Sequence, residues 1–274
     1  MIRTISTAVD EPGRAQRFLG SVLEHARARN IYTYLTVLTA APLVAAELAP
    51  LGSLYIPENE LRADAFEAIA ALRAAIGGDR DTLLVKGIYG DVSWLAHDLR
   101  NDDDIADVAV IGPEDSWAVP WLRRRTIETL LMGSGTPLML LPEGPGLPEF
   151  NRIVLGWKPS AQATRTVRAI VALAEPGAKV DIVTVGAKPA EEARTPQGHC
   201  GVAAFLARHG FETECHWIEG EQSDAAALQD FATEVGADTL AVGGFAHSRV
   251  REIILGGVTR SLVRRARLPV VMVH

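Results

Sequence analysis

Seven residues near the middle of the chain, Pro142-Glu-Gly-Pro-Gly-Leu-Pro148, hold three prolines and two glycines and can continue neither helix nor strand. On either side of them the sequence repeats one plan. Each half opens with a short apolar strand, Arg3–Val9 and Arg152–Trp157, and goes on to an amphipathic helix near Arg14–Arg29 and Ala161–Ala174. Apolar strands follow at Ile31–Leu38 and Lys179–Val185, then helices near Glu60–Ile76 and Gly198–His209. Third strands, Leu83–Lys86 and Glu214–Ile218, each run into a glycine and precede helices near Asp91–Leu99 and Asp224–Val235. Ala106-Asp107 and Ala237-Asp238 introduce fourth strands, Val108–Ile111 and Thr239–Val242, and last strands begin at Pro137 and Pro269. Strands alternating with helices pair in parallel through right-handed crossovers. The chain is therefore expected to form two tandem doubly wound α/β domains, 1–141 and 150–274, with 142–149 as linker. Ligands of such sheets sit outside the carboxyl ends of the strands, where the strand order reverses.

Composition narrows the class. Of 274 residues, 48% are hydrophobic and 22% charged, the balance of a globular protein with full cores. No apolar run approaches the ~18 residues of a membrane span, so no membrane association is expected. The start reads as a strand-like alternation, so no leader peptide is expected. Two cysteines, Cys200 and Cys215, give no disulfide framework and suit a reducing compartment, which makes cytoplasm the expectation. The net charge of −7 falls entirely on residues 1–145, and residues 146–274 balance. Neither half shows the basic stripe that nucleic-acid binding needs. The acidic run Asn101–Asp104 is expected as a solvated loop.

The densest signal lies in Asp238–His274. The strand Thr239–Val242 stops at Gly243-Gly244; a turn of small and basic residues follows, then Gly256-Gly257, Val258-Thr259 and a basic helix. Glycines after a strand let backbone N–H groups approach a phosphate at a helix N-terminus. This segment resembles the carboxyl end of universal stress proteins, whose nucleotide-binding members carry Gly, two residues, Gly, nine residues, Gly, then Ser or Thr. The frame falls on Gly243, Ala246, Gly256 and Gly257, so two glycines match while Ala replaces the second and Gly replaces the hydroxyl residue. The resemblance covers the whole chain, strongly in the second half. It implies strand order 3-2-1-4-5 in each half and a tandem pseudo-dimer.

It also implies an adenine-nucleotide site in the second half, taking ATP or AMP, with or without Mg2+, or standing empty. Its residues would be Gly243, Gly244, Ala246, His247, Ser248, Arg249, Gly256, Gly257, Val258 and Thr259 around the phosphates. Trp157 and Lys158 fill the place of an Asp that relatives set near adenosine, and Val185 matches a position whose backbone reads adenine. If residue 246 needs a left-handed backbone, Ala there costs roughly 1–2 kcal/mol. In the first half, Arg124 and Arg125 stand where paired glycines would be, and Pro113 and Pro120 remove amide donors, so no nucleotide is expected there. Arg123–Arg125 read either as an anion site or as a solvated helix face. Asp10 matches the family but sits in this half.

No catalytic residue, metal site, Gly-x-Ser-x-Gly elbow or P-loop is indicated. Cys215 and His216, adjacent on a strand, point to opposite faces and do not converge on one ion. The expected function is a cytoplasmic, non-catalytic stress protein with a regulatory nucleotide in its second domain. A nucleotide-free interaction module and a slow ATPase are the alternatives, and a glycine turn kept only for packing is also open. The last strands would be sheet edges, which soluble proteins cover. They are expected to pair antiparallel within the chain, with Met139, Leu141, Val270 and Met272 near the pseudo-two-fold axis. Any homodimer would then use helical faces.

Overall fold

The computed structural model describes residues 2–40, 66–67, 69–70, 72–74, 82–90, 95–96, 99, 105–186, 199–218, 223–244, 246–249 and 252–274. In the first half these form β1 (Thr4–Val9), α1 (Gln16–Ala28), β2 (Tyr32–Ala40), β3 (Leu83–Gly90), β4 (Val108–Ile111), α2 (Pro120–Gly133) and β5 (Leu138–Leu140). The second half supplies β6 (Arg152–Gly156), α3 (Ala161–Leu173), β7 (Lys179–Val185), α4 (His199–Arg208), β8 (Glu212–Ile218) and α5 (Asp224–Glu234). It ends with β9 (Thr239–Gly243), β10 (Ala246–Arg249), β11 (Glu252–Leu255), α6 (Gly257–Arg264) and β12 (Val270–Val273). The expected helices Glu60–Ile76 and Asp91–Leu99 lie mostly, and the acidic run Asn101–Asp104 entirely, outside the described residues.

All strands but β10 and β11 join one sheet in the order β3-β2-β1-β4-β5-β12-β9-β6-β7-β8. Each half has the expected order 3-2-1-4-5, and the halves meet along β5 and β12. That pair is antiparallel, with Val270 opposite Leu140, Val271 opposite Met139 and Met272 opposite Leu138. The pairing centres on Met139 and Val271, while Leu141 lies beyond it with its amide donating to the Ile111 carbonyl. Two otherwise open edges are thereby closed within one chain.

The alternation of side chains along the strands sends the core into two layers. Ile5, Val9, Val108, Met139, Val271 and Ile153 pack beneath α1, α3 and α4. Ala8, Ile111, Leu138, Met272, Val154 and Val242 pack beneath α2, α5 and α6. Both layers run unbroken across the seam, and burying each large apolar side chain contributes about 1.5–3 kcal/mol.

β3 runs past its expected end at Lys86 and pairs with β2 as far as Gly90. Gly87 continues the strand because its missing side chain leaves room for Ile69. The duplicated Ala-Asp pairs do the same work twice. Asp107 accepts from the amides of Arg3 and Thr4 at 2.7 and 2.9 Å, and Asp238 accepts from the Asn151 amide at 2.7 Å. Each carboxylate ties the start of a fourth strand to the start of a first.

Candidate functional site

In the second half β6 runs beside β7 and β9, and their carboxyl ends come together, with Gly156 opposite Val183 on one side and Val242 on the other. The helix after β6 packs on one face of the sheet and the helix after β9 on the other, which defines the reversal point where such sheets bind ligands. Ser160 starts α3, its hydroxyl oxygen accepting from the Ala163 amide at 3.0 Å.

Gly243 ends β9 against the first turn of that helix. A Cβ there would stand 2.9 Å from the Ala163 nitrogen and 3.2 Å from the Gln162 carbonyl carbon, both backbone atoms that cannot yield. Gly244 donates to the Val273 carbonyl at 2.8 Å, and a Cβ on it would stand 2.8 Å from Leu131 of α2, in the other half. Neither glycine adopts a left-handed backbone. Both are needed for close approach, which is half of what a phosphate turn requires.

The stretch between the two glycine pairs departs from expectation. β10 and β11 pair antiparallel, Ala246 with Leu255, His247 with Ile254, Ser248 with Ile253 and Arg249 with Glu252. Ala246 therefore sits in extended strand, where alanine carries no left-handed penalty, and the cost reckoned for it above does not arise. The side chains of His247, Ser248 and Arg249 lie outside the described residues.

Gly256 then caps α6 with extended backbone (φ −60°, ψ 161°), and Gly257 is its first helical residue. Among the described residues nothing lies within 4 Å of where a Gly257 Cβ would stand. The N–H groups of the first turn point along the axis toward this opening, so the end of the helix favours an anion. Val258 is half-buried and Thr259 is buried. Lys158, just past β6, is exposed, and Val185 is half-buried at the end of β7. Trp157 directly follows β6. It is buried at 6% exposure and lines a cavity on the other flank of α3.

The equivalent region of the first half is closed by its own side chains. Asp10, past the end of β1, accepts from the amides of Ala118 and Val119 at 2.9 and 2.7 Å. Those amides stand just before α2, whose first residue, Pro120, has no N–H to offer. Arg123 is neither an anion site nor a solvated residue: it is buried, and donates to the Gly112 carbonyl at 2.9 Å and to the Val263 carbonyl of α6 at 3.0 Å. Burial lowers its pKa to about 10, against a smaller opposing effect of the Glu114 charge. Only Arg124 and Arg125 lie outside, both paired with Glu128. The spacing Arg123, Thr126, Ile127, Leu130 was the available signal, since it places Arg123 on the apolar stripe of α2.

One polar cluster had no announcement in the sequence. Asp181, fully buried on β7, accepts from Arg152 Nε at 2.8 Å and contacts His216 Nε2 at 3.0 Å, with Lys179 bridging to Glu214. Burial alone would raise the Asp181 carboxyl. Hydrogen bonds from Arg152 and His216, with the charges of Arg152 and Lys179, hold it below the usual carboxylate range. Asp181, Glu214 and His216 have ligand atoms within 4.8 Å of one another. Two basic side chains already neutralise them, so the set serves as an ion-pair network. Cys215 packs into the opposite layer, as the strand alternation requires. Among the described residues no helix is long and apolar enough to cross a membrane.

Residues 149–274 match the family model described as the universal stress protein family. Among solved structures, a universal stress protein from Archaeoglobus fulgidus DSM 4304 aligns with 98% of this chain and 95% of its own at a TM-score of 0.62 and 16% identity. A functionally unknown protein from Pseudomonas aeruginosa PAO1 aligns with 99% of this chain and 92% of its own, at a TM-score of 0.53 and 13% identity. The universal stress protein from Archaeoglobus fulgidus in complex with dAMP covers 47% of this chain and 100% of its own, at a TM-score of 0.35 and 21% identity. No curated protein matches the sequence. The whole-length likenesses show a shared fold across both halves.

Proposed function

We propose, from the premise that residues 149–274 form a universal stress protein domain, that this half binds an adenine nucleotide, ATP or AMP, as a regulatory ligand. The observation that carries the reading is the space at Gly257, the first residue of α6, open among the described residues and set beside the close-packed glycine end of β9. In this reading the amides of Gly257 and Val258 take the phosphates and Lys158 adds charge from the end of β6. Val185 offers its backbone to the base. A backbone donor works whatever the side chain, so Gly in place of a hydroxyl residue at position 257 removes about 1 kcal/mol and leaves the cradle. The first half is read as contributing no second site, since Pro120 stands first in α2 without an N–H and Asp10 holds the two amides before it.

Isothermal titration with ATP and with AMP, together with mass spectrometry of nucleotide carried through purification, tests the proposal. Saturable heat that Gly256→Val abolishes is expected. No heat at millimolar ligand and no carried nucleotide would overturn it. A nucleotide-free interaction module is the second reading, favoured by the β10–β11 ribbon between the two glycine pairs. Under it, Gly256→Val leaves function untouched. Phosphate release above a buffer blank, lost in the same variant, would instead mark a slow ATPase.

A further inference from the structure

The two halves correspond strand for strand, and at one place their interiors differ. The Asp107 and Asp238 amides donate to the carbonyls of Thr4 and Arg152, so Ser6 stands where the second half has Val154. Ser6 lies between Tyr34 and Ala109 in the sheet, as Val154 lies between Asp181 and Leu240. Ala8 faces Thr36 as Gly156 faces Val183. In the second half Val154, Val183 and Leu240 are fully buried core. In the first half Ser6, Thr36 and Ala109 line a cavity of about 650 Å³ instead. That volume is within the range of small-molecule sites. The cavity reaches Ala106 and the loop Gly133–Pro137, at the amino ends of β4 and β5 and away from the carboxyl ends of the strands of its own half. α2 separates it from the second half: Leu130 lines the cavity, while Leu131 lies against Gly244.

We infer that this cavity binds a neutral saccharide. Thr36 is buried at 3% exposure, and Ser6 and Tyr34 beside it are half-buried. Among the described residues none of these three hydroxyls has a hydrogen-bond partner. Each can donate and accept at once, which is also the capacity of neighbouring sugar hydroxyls. Ala109, Ile111 and Leu130 supply apolar lining for the C–H side of a ring. Two other classes of ligand are disfavoured by the same lining. Among the described residues no charged side chain lines the cavity, so an ionised ligand would give up its hydration without a counter-charge. A wholly apolar ligand would bury the hydroxyls unpaired. A neutral molecule with many hydroxyls meets both conditions.

The test uses the full chain with D-glucose, D-galactose and maltose as probes, read by the methyl resonances of Ala109 and Leu130. At least one sugar is expected to shift both resonances saturably. Ala109→Leu identifies the first resonance and places there the residue that the second half carries, which should fill the cavity and silence the response of Leu130. Thr36→Val keeps the shape of the side chain and copies Val183. It should weaken binding about three- to tenfold, the scale of one neutral hydrogen bond. D-Glucose 6-phosphate and D-glucosamine, of opposite charge, should bind no better than D-glucose. Silence from every neutral probe at about 10 mM, well beyond a millimolar Kd, would overturn the inference. So would indifference to Thr36→Val, or tighter binding of either charged sugar. Thr36→Val is close to isosteric, so it decides the matter even if Ala109→Leu does not fold. Failure here leaves the titration on Gly256→Val untouched, and the reverse holds as well.

Discussion

The guanidinium of Arg123 donates to the main-chain carbonyl of Val263, 140 residues away and in the opposite half, at 3.0 Å. The same group holds the Gly112 carbonyl, so one buried cation fastens the end of β4 to the last turn of α6. α6 begins at the proposed phosphate cradle and ends on this arginine. Removing the side chain leaves two buried carbonyls unmet, at roughly 1–3 kcal/mol each. Arg123→Ala is expected to lower the unfolding free energy by about 2–4 kcal/mol in urea titration. Arg124→Ala, on the exposed side of α2, should change it by less than about 0.5 kcal/mol.

Gly243 and Gly257 should respond oppositely to the same small change. A methyl group at 243 meets the backbone of the first turn of α3, so Gly243→Ala is expected to cost about 1–3 kcal/mol. At 257 the space is open and the residue is helical, so Gly257→Ala should be neutral or stabilising by up to about 1 kcal/mol. Thermal unfolding of the two variants side by side reads the contrast. Equal losses would mean that the opening at α6 is not open.

Asp10 holds the two amides just before α2, and Asp10→Ala is expected to remove about 1–2 kcal/mol of stability. The same variant frees the Ala118 and Val119 amides. Titration with inorganic phosphate should then detect binding in the first half that the parent chain lacks, when both carry Gly256→Val.

The ion-pair network predicts a pH dependence. Asp181 is held below the usual carboxylate range, so the unfolded chain binds its proton more readily than the folded one. Its contribution to stability is fully present above the unfolded value of about 3.9 and is lost as pH falls through the lower folded value. Urea unfolding of the parent chain should weaken more steeply below about pH 4 than that of Asp181→Asn. Parallel pH slopes for the two proteins would count against the network.

Much of this architecture was legible because apolar runs, helix periodicity and punctuation agree. Pro137 and Pro269 mark the last strands, and the paired Ala-Asp steps mark the fourth. Three features were hidden for physical reasons. Three consecutive arginines look alike in sequence, yet helical spacing turns Arg123 inward while Arg124 and Arg125 stay outside. Asp181 reads as a polar break in the run Val180–Val185, and only the neighbouring strands supply the Arg152 and His216 that make its burial tolerable. The β10–β11 ribbon is disguised by the glycines on either side of it, which suggest an open turn. At the candidate site, the glycines were legible by type and their purpose was not, because close approach to Ala163 or Leu131 is a property of the packed chain.

The antiparallel seam between β5 and β12 has a consequence for how such a molecule can change over generations. In a dimer of identical subunits, every substitution appears on both sides of the axis. A helix that gained an arginine reaching across the boundary would gain it in both copies at once. With the two copies written into one chain, α2 and α6 stand under separate instruction. One copy is free to become a fastening while the other keeps the open start of α6, and the fixed one-to-one ratio gives each such opening its own clasp.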